Sequence, residues 1–206
     1  MERKENYAIA VKTIKTAILQ GQYAAAKESN RIQLATYFAI GKYISLNSRH
    51  GFWGKGAIET ISEQLRRELP GLRGYSPSNM KNMRLFYEKW SVLDSKSPIA
   101  IGESSEQNST IAIGELQSED YQIDISRSLS VDNVVDFPIE VFFSVPFTHH
   151  IRILEKTQTQ EERYYYMHRC VMENLSVDGL VKIIKQDDFL HKSILPNNFV
   201  NTISDP

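Results

Sequence analysis

The chain has 206 residues, 41% hydrophobic and 24% charged, which suits one large globular domain or two small ones. Its 24 Lys and Arg against 25 Asp and Glu leave a net charge of −1. That balance excludes a histone-like coat for polyanions and confines any nucleic-acid surface to part of the molecule. The single cysteine, Cys170, excludes an internal disulfide and a thiolate zinc cluster. No apolar run is long enough to span a membrane. Lys12 and Lys15 interrupt the apolar stretch a signal peptide needs, so the cytoplasm is the expected compartment.

The charge is unevenly spread. Residues 42–90 hold nine basic and four acidic groups, whereas 91–140 hold two basic and ten acidic. A basic window attracts phosphate by releasing counterions. The acidic window beside it is a solvated linker, or a competitor that covers the basic face when no polyanion is bound.

Apolar spacing predicts a helix over 6–20, with Tyr7, Val11, Ile14, Ala17 and Ile18 in register, then a break at Gly21. A longer helix follows over 22–47, with Ala26, Leu34, Tyr37, Phe38, Gly41 and Ile44 as its stripe. Glycine inside a helix costs about 1 kcal/mol against alanine. Gly41 therefore predicts a close crossing by another helix. Phe52 and Trp53, in the glycine-rich loop 48–56, are expected to plug back into the core.

A third helix over 57–69 buries Ile58, Ile61, Leu65 and Leu69 and ends at Pro70-Gly71. Gly74 permits a turn with positive φ. Ser76 then caps a fourth helix, with Pro77 at its first position. Met80, Met83, Phe86, Tyr87 and Trp90 share one arc of that helix. Ser78, Lys81, Asn82, Leu85, Glu88 and Lys89 share the other, with Arg84 at the edge and Asn79 on the border as a structural hydrogen-bonder.

Across 91–140 the composition turns polar. The runs Ile99-Ala100-Ile101-Gly102-Glu103 and Ile111-Ala112-Ile113-Gly114-Glu115 fit a two-stranded ribbon. Residues 103–110 and 117–133 read as flexible linker. An apolar run from 141 leads into a helix near Thr148 that buries Ile151 and Leu154. Thr159 and Glu162 form a capping box for the next helix, with Tyr165, Met167, Val171 and Met172 as core. Ser176 caps a last helix to about Lys185, with Leu180, Val181 and Ile184 inward, and the tail frays.

Two helices joined by a glycine-bearing turn, 57–69 and 76–90, make a helix-turn-helix candidate, although its 70–75 linker exceeds the tight form. In such a unit the second helix enters the major groove, N-terminal end first. Ser76, Ser78, Lys81 and Asn82 would face bases or phosphates. Arg84 and Lys89 would reach flanking backbone, and Lys55, Arg66, Arg73 and Arg67 would hold phosphates. Leu85 on the same arc suits a thymine methyl group or a protein contact.

Catalytic signals are weak. The Asp/Glu-x-Lys triplets at Glu2 and Asp94 lack the preceding strand of a metal-dependent nuclease. His168 and Cys170 point in different directions on a helix, and His149-His150 reads as a capping or surface pair beside a buried thiol. Tyr164-Tyr165-Tyr166 must cover most of a helix circumference, so at least one is core. There is no phosphate loop, dinucleotide fingerprint or His-Glu-x-x-His, and no cofactor or metal is expected.

Several stretches together resemble a known family. They are Ile40-Gly41-Lys42-Tyr43-Ile44, Phe52-Trp53-Gly54, Ile61-Ser62-Glu63-Gln64-Leu65, Leu69-Pro70-Gly71, and the run from Gly74-Tyr75-Ser76-Pro77 through Asn79, Met83-Arg84 and Phe86-Tyr87. In order and spacing they are similar to the N-terminal domain of YhcG-like proteins (domain of unknown function 1016), over about residues 6–90. A weaker resemblance covers about 141–190, through Ser144-Val145-Pro146-Phe147-Thr148-His149, Arg163-Tyr164-Tyr165-Tyr166 and Leu175-Ser176, with two family tryptophans replaced. The resemblance implies a helical DNA-binding module that in the family precedes a PD-(D/E)XK nuclease domain, whose motif this sequence lacks.

The expectation is therefore a mainly α protein. Helical lobes at 1–92 and 141–192 are joined by an acidic, partly disordered segment at 93–140 with room for a short β-ribbon, and 193–206 forms a tail. The expected role is non-catalytic binding of duplex DNA. The alternative is a protein-interaction module that dimerises or recruits a nuclease subunit through Leu85, the Tyr164–Tyr166 helix and the C-terminal lobe. Salt dependence separates the two.

Overall fold

A computed structural model describes residues 2–49, 51–94 and 137–191, with 123, 125 and 129 as isolated positions between them. The described residues form seven α-helices and one 3-10 turn, with no strand among them. The fold class is mainly α, as the sequence predicts. The proposed ribbon, most of the acidic linker and the tail lie outside the described residues.

Helix α1 runs unbroken over Glu2–Arg49, 48 residues, where the sequence suggested two helices. Gly21 does not break it. One glycine costs about 1 kcal/mol, and Ala24, Ala25 and Ala26 just beyond it are the best helix formers. No atom lies within 4 Å of where a Cβ at Gly21 would stand, so no contact forces a bend there.

Gly41 behaves as predicted, and the structure names the helix that crosses. Helix α3 (Pro77–Lys89) lies so close that a Cβ on Gly41 would stand 2.0 Å from the Met83 carbonyl oxygen and 3.1 Å from the Tyr87 Cβ. Helix α2 (Ala57–Glu68) packs Ile58, Ile61 and Leu65 against Ile44, Met80 and Trp53. Trp53 thus plugs inward, its ring edge-on to Tyr43 with centroids 5.7 Å apart. Phe52 stays exposed, as does Leu69, which falls past the last turn of α2 and out of its register.

A 3-10 turn, Ser91–Leu93, follows α3 and delivers buried Asp94 to α1. Lys42 Nζ lies 2.6 Å from Asp94 Oδ2, and the Tyr87 hydroxyl donates to the same carboxylate at 3.1 Å. Burial and that carboxylate push the Tyr87 phenol well above its ordinary range. Asp94, one of the two triplet acids, is therefore a structural tie between α1 and α3.

The second helical segment comprises α4 (Ile139–Ser144), α5 (Phe147–Lys156), α6 (Gln160–Glu173) and α7 (Val177–Lys185). The apolar run at 141–147 is thus partly helical, because α4 turns Phe142 and Val145 into the core. The capping box at Thr159 and Glu162 and the Ser176 cap are present as predicted. Met172 faces solvent, where core was expected.

Both segments feed one hydrophobic core. Leu34 and Phe38 of α1 and Met83, Phe86 and Trp90 of α3 meet Phe142, Phe147, Ile151, Met167 and Leu180. Asn30 adds a polar tie, its Nδ2 donating to the carbonyls of Phe143 at 2.7 Å and Val145 at 3.1 Å. His149 and His150 are buried rather than on the surface, since α5 presents this face to α4 and the α6–α7 turn. Their Nε2 atoms lie 2.9 Å from the Leu175 carbonyl and 3.0 Å from that of Phe142. Burial holds the His150 pKa down to about 4.

Candidate nucleic-acid interface

The helix-turn-helix candidate is built by local chemistry. Gly71 and Gly74 both take φ of 88°, which lets the chain reverse after α2. Ser62 Oγ donates to the Tyr75 carbonyl at 2.8 Å and holds the turn against α2. Ser76 Oγ accepts from the Asn79 N–H at 3.3 Å, and Pro77 opens α3. The Asn79 side chain donates back to the Gly74 carbonyl, the structural role its border position predicted.

The structure brings some predicted contact residues together and diverts others. Arg66, Arg73 and Ser76 line one shallow groove with Ser62, Leu72 and Tyr75, beside the first turn of α3. Ser78 is exposed on that turn. Lys81 is exposed but paired across to α2, its Nζ 2.7 Å from Glu59 Oε1. That pairing lowers the Glu59 pKa. Arg67 is exposed and pairs with Glu63 on its own helix.

Arg84 turns toward α1, donating to Ser48 Oγ at 3.3 Å with its Nε 3.9 Å from Glu88 Oε1. Glu88 also takes a two-pronged contact from Arg49 at 2.9 and 3.0 Å. Asn82 lies in a crevice between α3 and α5 with Phe147, Thr148 and Arg152. Leu85 is half-buried, and Lys89 is exposed at the far end of α3.

The basic window is thus largely neutralised by its own neighbours. Lys42, Arg49, Arg67, Lys81 and Arg84 all lie beside carboxylates. Lys55, Arg66, Arg73 and Lys89 form no ion pair with another described residue. Two of these four flank the N-terminal turn of α3, where Ser76 and Pro77 account for the other first-turn donors and leave the Ser78 N–H and the helix dipole to favour an anion. Arg152 on α5 lines the crevice with Asn79 and Asn82, pairs with Glu155 on its own helix at 3.0 Å, and was missed from sequence. Only the packing of α5 against α3 brings it there.

The tyrosine run is used internally. Tyr166 is buried, and the Tyr164 ring stacks parallel to Trp90 with centroids 6.4 Å apart. Tyr165 donates to Asp188 Oδ2 at 3.1 Å. Burial pushes the Cys170 thiol up to about 12. No group of three or more His, Cys, Asp or Glu able to hold a metal occurs among the described residues, and no described helix is long and apolar enough to cross a membrane.

The α1–α2–α3 frame, with Gly41 at its crossing and the capped α3, coincides with a family match over residues 13–105. These residues match the DUF1016 N-terminal domain. The match supports the YhcG-like reading of the first half of the chain, while the weaker resemblance at 141–190 lies outside it. No curated protein and no solved structure matches the chain.

Proposed function

We propose that the chain is a non-catalytic module that holds duplex DNA through its DUF1016 N-terminal domain. The observation that carries this reading is the pairing pattern. Arg66 and Arg73 stand without ion-pair partners among the described residues, beside the exposed, Ser76-capped first turn of α3. In this arrangement the two guanidinium groups and the α3 N-terminus take phosphate oxygens, and Lys55 and Lys89 extend the contact to flanking backbone. Ser78 and Lys81 lead into the groove. Lys81 exchanges Glu59 for a base edge or phosphate, a swap that its exposed position permits. A nuclease subunit is the natural partner for such a module, given the family association.

A titration on duplex DNA at low and near-physiological salt tests the proposal. Wild type should weaken by orders of magnitude between the two for several phosphate contacts. Arg66→Ala/Arg73→Ala should bind more weakly and flatten the slope of log affinity against log salt by about 2, while melting unchanged. Equal binding and equal slope for the two proteins would remove the assignment.

A further inference from the structure

The outer half of α1 has no visible reason to be stable. Every side chain described from Tyr7 to Ala26 is exposed, and among the described residues the first polar contacts with the body come at Lys27 and Asn30. A helix without tertiary contacts is marginal in water. Yet this one is apolar, with Tyr7 68%, Val11 65%, Ile14 60% and Ile18 54% exposed.

These four residues are spaced four, three and four apart, the alternation of a seam between paired helices. Gly21 and Ala25 continue it. Beside it runs a second column, Ala10, Ala17 and Ala24, spaced seven apart. None of these positions carries a charge, and the small residues let a second helix come close. At 100° per residue the seam points roughly opposite to Leu34, Phe38 and Gly41, which face the body. It therefore does not continue the buried stripe of α1.

We propose that this seam pairs with the same seam of a second copy of the chain, in parallel. The repeat is what makes the surface complementary to itself, as a two-fold interface requires. Parallel alignment sets Lys15, at the seam margin, opposite the alanine column of the other copy. Antiparallel alignment sets margin against margin and brings lysines together. Three heptads bury roughly 1,000 Å² from the two chains together, the lower bound of a specific interface. The inference is independent of DNA binding.

Sedimentation of the full chain across about 1–100 µM reads the dimer directly. Ile14→Glu/Ile18→Glu should raise the dissociation constant by about 100-fold or more, and should lower helical ellipticity. The near-ultraviolet signal of buried Trp90 should not change. In the otherwise intact seam, Gly21→Cys should form a disulfide-linked dimer with oxidised glutathione, while Gln20→Cys, which points away, should not. A wild type that stays monomeric at the top of that range would overturn the proposal. So would a double variant that dimerises as tightly as wild type, or equal cross-linking by the two cysteine variants.

Discussion

Replacing Gly41 by alanine pits two effects of opposite sign against each other. Helix propensity alone favours alanine by about 1 kcal/mol. Packing opposes it, because the new methyl would stand 2.0 Å from the Met83 carbonyl oxygen. The obstacle is backbone, so no side chain can swing away. Ordinary contact begins near 3.4 Å, so α3 must retreat by about 1.4 Å. Met83, Phe86 and Trp90 would leave their places in the core with it. Overpacking of this kind costs ~1–3 kcal/mol, and the upper end applies where backbone must move. The net expectation is a loss of about 2 kcal/mol, or about 1 M in the urea midpoint for a slope near 2 kcal/mol/M. Tryptophan fluorescence during urea unfolding, from Trp53 and buried Trp90, measures it. Gly21→Ala is the matched control, since nothing lies within 4 Å of its Cβ. It should raise helicity without lowering the midpoint. A Gly41→Ala protein as stable as wild type would refute the close-crossing argument.

Further outcomes follow from buried groups and caps. In the unfolded chain the His150 imidazole protonates near 6.5, whereas burial in the fold holds this back to about 4. The unfolded state therefore binds more protons between these values. Stability that is complete above 6.5 should fall by up to ~3 kcal/mol as pH drops to about 4. Urea midpoints across that range should show the fall, and His150→Gln should flatten it. The Cys170 thiol, pushed up to about 12, should resist alkylation at pH 8 in the folded protein and react on unfolding. Mass spectrometry reads the difference. Thr159→Ala removes one half of the capping box on α6 and should cost about 1 kcal/mol in thermal or urea unfolding.

The sequence alone determined whatever depends on neighbours within four residues. Ser76, Thr159 and Ser176 cap where their side chains reach an N–H three positions on. The buried arc of α3 follows from its 3.6-residue period, and Gly41 marked a crossing because an interior glycine needs compensation. Gly21 read as a break in the helix and was not one. A glycine shows its cost locally, but what offsets that cost is a distant contact, which Gly41 has and Gly21 lacks.

Tertiary structure decided which charges remain for a partner. Lys42 meets Asp94 across 52 positions, Arg49 meets Glu88 across 39, and Lys81 meets Glu59 across 22. Composition counts these groups as a basic window, yet packing spends most of that charge internally. It also placed His149 and His150 inside and Arg152 beside α3. Local interactions fix the helices, and only their mutual packing fixes which side chains face one another.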